Sequence, residues 1–256
     1  MSDETDGGYP LVLHSEADPS RLGGTAVCGF STVGSVGVIA TSHLIGSLKL
    51  GPMGTGLHPK CPAGALIHDS IPKHPIRVYQ GDGIGVFTSE IQFTSEHDIY
   101  FANTVLEWFT KGGFDRLVVI DGVVSNDLGI KEDSELWGVS SSSAGRDQLD
   151  RSSIQRIQQG VVTGIAGYLI AEGERRGLDV TALLAECNPI YPDARAALIA
   201  VEGLSELAGI EVPVDGLLED ARNIEERVRE AFERAQSTAL PAPDSGDDED
   251  DVPMIY

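Results

Sequence analysis

The alternation of short apolar runs with helical patterns is the feature that most constrains the fold of this chain. Apolar, β-branched runs are typical of buried strands, and apolar residues at three- and four-residue spacings are typical of helices. Strands separated by helices predict an α/β fold of three layers, with a mostly parallel sheet and helices on both faces. The predicted strands are residues 10–14, 25–30, 65–68, 76–79, 85–92, 117–120 and 180–185.

Four helices are predicted, three between these strands and one after the last strand, from their periodicity and from the residues that end them. They cover residues 33–49, 97–111, 164–176 and 193–208. Gly51 and Pro52 follow the first, Gly112 and Gly113 the second, and Gly209 the fourth. Gly177 stands just past the third helix, where a left-handed cap is expected.

A different composition begins near the carboxyl end of the chain. Residues 215–235 place apolar side chains at alternating spacings of four and three, a heptad seam that packs either on the domain's own sheet or against a sister subunit. Residues 237–256 are rich in acids, proline and glycine but end in apolar and aromatic residues. We expect a single α/β domain over residues 1–236 and a disordered acidic tail over 237–256.

The charge of the chain excludes several classes of partner. Its formal net charge is −22, from 40 acidic and 18 basic residues. Nucleic acids and anionic membranes need a basic surface, so neither is expected as a partner. The acidic excess fits a halophilic protein adapted to high intracellular salt, with an ordinary acidic surface as the alternative. The acidic amino terminus has no apolar signal sequence, and we expect a cytoplasmic protein.

The three cysteines predict reduced thiols rather than disulfide bonds. Cys28, Cys61 and Cys187 are far apart in sequence and form no C-x-x-C pair. Because Cys28 and Cys187 lie in apolar runs, we expect both to be buried as small hydrophobic side chains.

Two motifs could bind a ligand, and each has a simpler interpretation. The glycine-rich turn over residues 29–37 follows a strand and opens a helix, but it lacks a P-loop lysine and the dinucleotide-binding spacing. Close packing of the helix on the strand is the better account. His58 and Cys61, with His68 and His74 nearby, could approach one metal ion, but prolines among them favour an exposed loop. We therefore predict no cofactor and no metal.

No arrangement of nucleophile, base and acid emerges from the sequence. The serine run at 140–143 lacks the G-x-S-x-G motif, and no histidine follows His97. Asp82, Glu90, Asp121 and Glu186 lie at or near predicted strand ends, where α/β proteins often place ligand groups. Because acids also cap helices and face solvent at such positions, we predict no catalytic residue.

Four segments, taken together, carry a family resemblance. They are GFSTVGSVGVIATSHLIGSLKL, DGVVSNDLG, GIAGYLIAEGERRGLDVTALLAE and NPIYPDARAALIAVEGLSELAGIEV. In this order and spacing, from about residue 22 to 229, the chain resembles the archaeal and eukaryotic proteasome-assembly chaperone family. The resemblance implies a fold like that of purine nucleoside phosphorylases, homo-oligomeric assembly, and a non-catalytic role in assembling proteasome α subunits.

The resemblance also implies where the partner binds. Some family members end in a hydrophobic residue, a tyrosine and one final residue, and this ending docks in pockets between adjacent α subunits. The matching positions here are Met254, Ile255 and Tyr256, with tyrosine last rather than second from the end. A phosphorylase-like enzyme acting on a nucleoside or small metabolite is the alternative function, and an oligomer with another protein partner is a third.

Overall fold

A mixed sheet of nine strands forms the centre of the protein. The computed structural model describes residues 11–13, 23–57, 64–68, 70–92, 94–124, 135–217 and 219 of the chain. In chain order the strands are β1 Leu11–Leu13, β2 Thr25–Phe30, β3 Gly51–Gly56, β4 Leu66–His68, β5 Ile71–Lys73, β6 Ile76–Gly81, β7 Ile84–Ser89, β8 Arg116–Val124, β9 Leu136–Ser140, β10 Gln155–Arg156 and β11 Val180–Cys187. β4 and β5 form a separate hairpin.

The four central strands of the sheet are parallel, the next strand on each side is antiparallel to them, and β10 at one margin pairs in parallel with β9. Its strand order is β1-β3-β6-β7-β2-β8-β11-β9-β10. β7, β2, β8 and β11 run in parallel, whereas β1, β3, β6 and β7 pair antiparallel, as do β9 and β11. We call the end of the sheet at which the four central strands finish the carboxyl edge, and the other end the amino edge.

Five helices cover the two faces of the sheet. They are α1 Val36–Ser47, α2 Asp98–Lys111, α3 Ser143–Leu149, α4 Gly164–Arg176 and α5 Ala194–Ala208. α1 packs against α5 on one face, and α2 packs against α4 on the other. Each face thus has a core of its own, which is the three-layer architecture that the sequence predicts.

The two cores differ in the side chains that fill them. The α2 and α4 side is aromatic, with the rings of Phe87 and Trp108 5.7 Å apart and those of Trp108 and Phe114 4.8 Å apart. The α1 and α5 side is aliphatic, and Leu44 and Val201 are fully buried there. The buried residues of α5 include Ala196, Ala197, Ala200 and Gly203, and these small residues allow the helix to lie close to β11.

The ends of the helices follow the local sequence. The Asp193 carboxylate accepts a hydrogen bond from the Ala196 N–H at 3.0 Å and so caps α5. Gly177 and Gly209 end α4 and α5 with φ values of 68° and 65°. The left-handed cap predicted at Gly177 is confirmed, because glycine adopts this conformation without a steric penalty.

Several elements differ from the sequence predictions. β3, β5, β9, β10 and α3 were not predicted, because glycine, proline and serine interrupt the apolar patterns of most of these segments. Gly34, with φ 61°, breaks the first helix, so that α1 begins only at Val36. Leu217 of the predicted heptad seam is buried in the α1 and α5 core. Residue 218 and residues 220–235 of the predicted helix lie outside the described residues, as does the acidic tail, and the boundaries of both segments stay predictions.

The packing of α1 on the sheet predicts how substitutions in that helix change the free energy of unfolding. Leu44→Ala removes a fully buried side chain and leaves a cavity, and it should lower the free energy of unfolding by about 2–5 kcal/mol. Ser42→Ala, at an exposed position of the same helix, should change it by no more than about 0.5 kcal/mol. Urea unfolding of both variants measures the difference, and equal effects would contradict this packing.

Candidate functional site at the carboxyl edge

The glycine-rich turn between β2 and α1 is a contact between backbones. A Cβ atom on Gly29 would lie 2.2 Å from the Gly37 carbonyl oxygen, and one on Gly37 would lie 2.5 Å from the Ile120 carbonyl oxygen. No side chain fits at either position. These glycines therefore bring α1 onto β2 and β8, and the packing interpretation of the motif is confirmed.

Asp121 connects this turn to the neighbouring strand β8. Its Oδ1 accepts hydrogen bonds from the Thr32 hydroxyl and from the Gly122 N–H, the latter at 2.8 Å. Burial raises the pKa of the Asp121 carboxyl, and the two hydrogen bonds oppose that rise. The carboxyl group fixes the turn after β2 against the end of β8.

Asp98, at the start of α2, is a second acid at this edge. Its charge contributes to the raised pKa of Asp121, so the two carboxyl groups interact. Burial raises the pKa of Asp98 as well, and the neighbouring His97 lowers it. Sequence reasoning missed Asp98, because its position one residue into a helix is also typical of a capping residue.

The four acids selected from the sequence do not form one site. Asp82 lies in the turn between β6 and β7, at the amino edge, because those strands form a hairpin that returns there. Glu90 follows β7 at the carboxyl edge and pairs with Arg77 and with His68. Glu186 lies in β11, in register with Val123 rather than with Asp121. The register of the strands thus separates acids that follow similar sequence patterns.

The candidate metal-binding residues are placed only in part. His58 and Cys61 lie outside the described residues. His68 Nε2 lies 2.9 Å from Glu90 Oε2, and this contact connects the β4–β5 hairpin to the end of β7. Among the residues that the structure describes, no three histidine, cysteine or acidic side chains are grouped to hold a metal ion.

The two described cysteines are buried and free of disulfide bonds, as predicted. Burial raises the pKa of the Cys28 thiol far above its usual range. Burial, together with the charges of Asp193 and Asp121, raises the pKa of Cys187 to about 12. Thiols with such raised pKa values are protonated and therefore poor nucleophiles at neutral pH.

The serine run connects β9 with the start of β11. Ser141 Oγ donates to the Leu178 carbonyl oxygen at 2.7 Å and accepts from the Val180 N–H at 2.9 Å. Ser142 Oγ donates to Asp179 and accepts from the Gly145 N–H at 2.8 Å, which caps α3. These hydroxyls therefore stabilise a junction at the amino edge.

Exposed apolar side chains are concentrated at the carboxyl edge. Val123 and Val124 are the last residues of β8, and Ile190 follows the end of β11. Ile99 lies in the first turn of α2 and Val161 just before α4, and both helices begin at this edge because they run antiparallel to the strands that follow them. We call these five side chains, Ile99, Val123, Val124, Val161 and Ile190, the edge patch.

Sequence reasoning missed the edge patch. A signal was present, since Val161 stands in the polar segment QQGVVTG and Ile190 in NPIYP, where no helix or strand needs an apolar residue. Periodicity analysis finds apolar residues only where they repeat.

The predicted contact residues Met254, Ile255 and Tyr256 lie outside the described residues.

Fold and site define the class of this protein: a three-layer α/β protein whose first strand-to-helix turn is packed by glycines and whose carboxyl edge is apolar. Residues 26–231 match the PAC2 family, and the chain belongs to that family. No helix in the described part of the chain is long and apolar enough to cross a membrane.

Individual relatives support the assignment. The structure is similar to Pyrococcus furiosus PbaA, an archaeal homologue of proteasome-assembly chaperone, with a TM-score of 0.78 and 27% identity over 89% of this chain and 94% of that chain. Pyrococcus furiosus PbaB, an archaeal proteasome activator, shares the fold with a TM-score of 0.73 and 21% identity, over 88% of this chain and 99% of that chain. An uncharacterized protein of Methanocaldococcus jannaschii is 24% identical over 80% of this chain and 84% of its own length.

Glycine substitutions test the backbone contact beneath the turn. Gly37→Ala places a Cβ against the Ile120 carbonyl oxygen and should lower the free energy of unfolding by about 1–3 kcal/mol. Gly46→Ala is the control, since a Cβ there meets nothing within 4 Å in the same helix. It should raise the free energy by about 0.4–1 kcal/mol. Urea unfolding measures both, and a neutral Gly37→Ala variant would contradict the contact.

The raised pKa of Asp121 predicts the direction in which the stability of the fold changes with pH. The group titrates near 3.8 in the unfolded chain and at a higher pH in the folded protein, so the folded state binds more protons between the two values. Stability from this group therefore falls as pH rises through that window. Asp121→Asn carries no such charge and should gain stability relative to the natural protein as pH rises.

Unfolding of both proteins from about pH 3 to about pH 8 measures this difference. Thr32→Val removes a hydrogen bond that opposes the pKa rise and should extend the pH dependence to higher pH. A free-energy difference between Asp121→Asn and the natural protein that stays constant across the range would show that the pKa of Asp121 is not raised.

Proposed function

We propose that this chain is a proteasome-assembly chaperone or adaptor that binds proteasome α subunits as a homo-oligomer and carries out no catalysis. The observation that carries the proposal is the match to the PbaA chaperone homologue over nearly the whole of both chains, together with the PAC2 family assignment. Fold alone does not define function, but a family match of this extent favours the same class of activity.

The carboxyl edge supports a binding role. Its polar side chains bond to one another and to the backbone: Asp121 to Thr32, Glu90 to Arg77, and Asp193 to the N–H groups that begin α5. A reaction centre needs polar groups that converge on a substrate. These groups instead hold strand ends and turns in place, so we consider a phosphorylase-like enzyme the weaker alternative.

We place the contact with α subunits at Met254, Ile255 and Tyr256. An apolar side chain beside a free terminal carboxylate offers burial and charge together, which suits a pocket with a basic residue. The preceding acidic segment would act as a flexible tether. In an oligomer several tethered ends would act at once, and effective concentrations in the millimolar range would raise the overall affinity.

The proposal needs no cofactor, nucleic acid or membrane, and it places the protein in the cytoplasm. The net charge of −22 supports the exclusion of polyanionic partners. We also propose that this acidic charge is a halophilic adaptation to high intracellular salt.

Removal of the chain terminus tests the proposed contact. Deleting residues 252–256 should weaken co-purification of proteasome α subunits by about tenfold or more. In an oligomer several chain ends bind together, so the loss of every end removes the whole gain in affinity. The control replaces the same five residues with glycine and serine, which keeps the chain length and the terminal carboxylate.

The outcomes separate the parts of this proposal. Loss of binding in both variants assigns the contact to the apolar side chains, and Tyr256→Ala then shows whether the last tyrosine matters. Undiminished binding would remove the tail from the mechanism. If the full chain captures no α subunit at its native salt concentration, the proposed function is wrong.

A further inference from the structure

We propose that a cavity at the amino edge binds a primary ammonium group carried on a short apolar chain. The cavity has a volume of about 430 Å³ and lies between the starts of β2 and β8, the last turn of α5 and the helix α3. It lies at the opposite edge of the sheet from the edge patch, and the inference is therefore independent of the proposed function.

Thr25 is a buried residue whose hydroxyl group has no partner at this cavity. It is 7% exposed and shares a face of β2 with Val27, which lies in the core beneath α1 and α5. The Thr25 N–H donates to the Gly83 carbonyl oxygen at 3.0 Å, but no described residue bonds to the hydroxyl, and Thr25 lines the cavity. Because buried hydroxyl groups are normally hydrogen-bonded, this one is available to a group that enters the cavity.

Carboxylates give the cavity a negative charge. Asp115 lies just before β8, and its carboxylate has no hydrogen-bonded or ion-paired partner among the described residues. Glu206 accepts from the N–H and the hydroxyl of Ser153, at 3.0 and 2.7 Å, and these neutral donors leave its charge in place. The end of α5 adds partial negative charge through its last carbonyl groups. The cavity therefore favours a cation over an anion.

Arg116 is basic, but its charge is already matched. Its Nη1 donates to the Leu207 carbonyl oxygen at 2.8 Å, and its Nε lies 3.8 Å from Asp179 Oδ2. Gln148 Nε2 donates to the same carbonyl oxygen at 3.2 Å, so that β8, α3 and α5 are joined around the cavity. Because Asp179 offsets the guanidinium charge, the lining keeps its negative excess.

The other basic side chains of the amino edge lie elsewhere. Lys111 belongs to α2, and Arg175 and Arg176 belong to α4, and both helices cover the face of the sheet opposite to α5. Arg146 of α3 donates to carbonyl oxygens of the serine run. None of these four described residues lines the cavity, so they do not cancel its charge.

A primary ammonium group matches the groups that remain. The Asp115 carboxylate and the Thr25 hydroxyl oxygen accept hydrogen bonds, and an ammonium group carries three donors with its positive charge. Leu207 and the Thr25 methyl group border the same space and suit an apolar chain of about four carbon atoms, as in lysine. A metal ion fits less well, because no three metal-binding side chains of the described residues are grouped here.

Titration calorimetry of the full chain tests this site. The probes are the diamine putrescine and the lysine derivative N-acetyl-lysine methylamide. Tetramethylammonium, which has the charge but no N–H donor, and butanediol, which has no charge, are the controls. In about 0.2 M KCl one equivalent of either amine should bind per chain with a dissociation constant of about 1 mM or lower, and both controls should bind at least about tenfold more weakly.

Substitutions locate the binding. Asp115→Asn should raise the dissociation constant by about tenfold or more, and Thr25→Val, which removes only the hydroxyl, by about threefold or more. Glu174→Gln removes one negative charge from an exposed position of α4 and should change it by less than about twofold. Because the Thr25 hydroxyl has no partner, Thr25→Val should unfold at the same urea concentration as the natural protein or at a higher one, which separates lost binding from lost folding.

Each outcome decides the inference. Absence of saturable binding of both amines up to about 10 mM would overturn it. Equal weakening by Asp115→Asn and Glu174→Gln would show general attraction to an acidic surface and would overturn it as well. With the predicted pattern, tighter binding of the lysine derivative indicates a lysine side chain of another protein, and tighter binding of putrescine indicates a free amine. Amine binding by a chain that captures no α subunit would support the inference and refute the proposed function.

Discussion

The close contact between the backbones of α1, β2 and β8 is the constraint on which the rest of this structure depends. Because Gly29 and Gly37 have no side chains, α1 lies directly on the sheet, and the chain turns from β2 into the helix over a few residues. Gly34 and Ser35, both with positive φ, complete that turn, and Asp121 fixes it to β8. The carboxyl edge is thereby formed from strand ends, helix starts and a rigid turn.

The polar side chains of the carboxyl edge are engaged with one another rather than directed at a common point. Parallel strands deliver their last residues to one place, where enzymes of this architecture bind ligands. Here the polar groups at that place hold one another, as Glu90 does with Arg77 and His68, and the outer surface is apolar. A surface of this kind supports recognition of proteins, in agreement with membership of the PAC2 family.

Much of the fold could be predicted because its central elements carry strong local signals. β2 has the predicted bounds, and α4 and α5 end at the glycines that the sequence marks. β3 and β9 could not be predicted, because their glycines weaken any strand pattern and their pairing with β6 and β11 stabilises them. For the candidate acids, the sequence showed only that each one lies at or near the end of a predicted strand.

The sequence by itself determined the alternation of strands and helices, the burial of Cys28 and Cys187, and the need for glycine at 29 and 37, since each follows from residues close together in the chain. Only the tertiary structure decided that Asp82 and Glu90 lie at opposite edges and that Val161 and Ile190 lie at the same one. The reason is that strand order and direction, which local propensity does not specify, determine which distant segments meet.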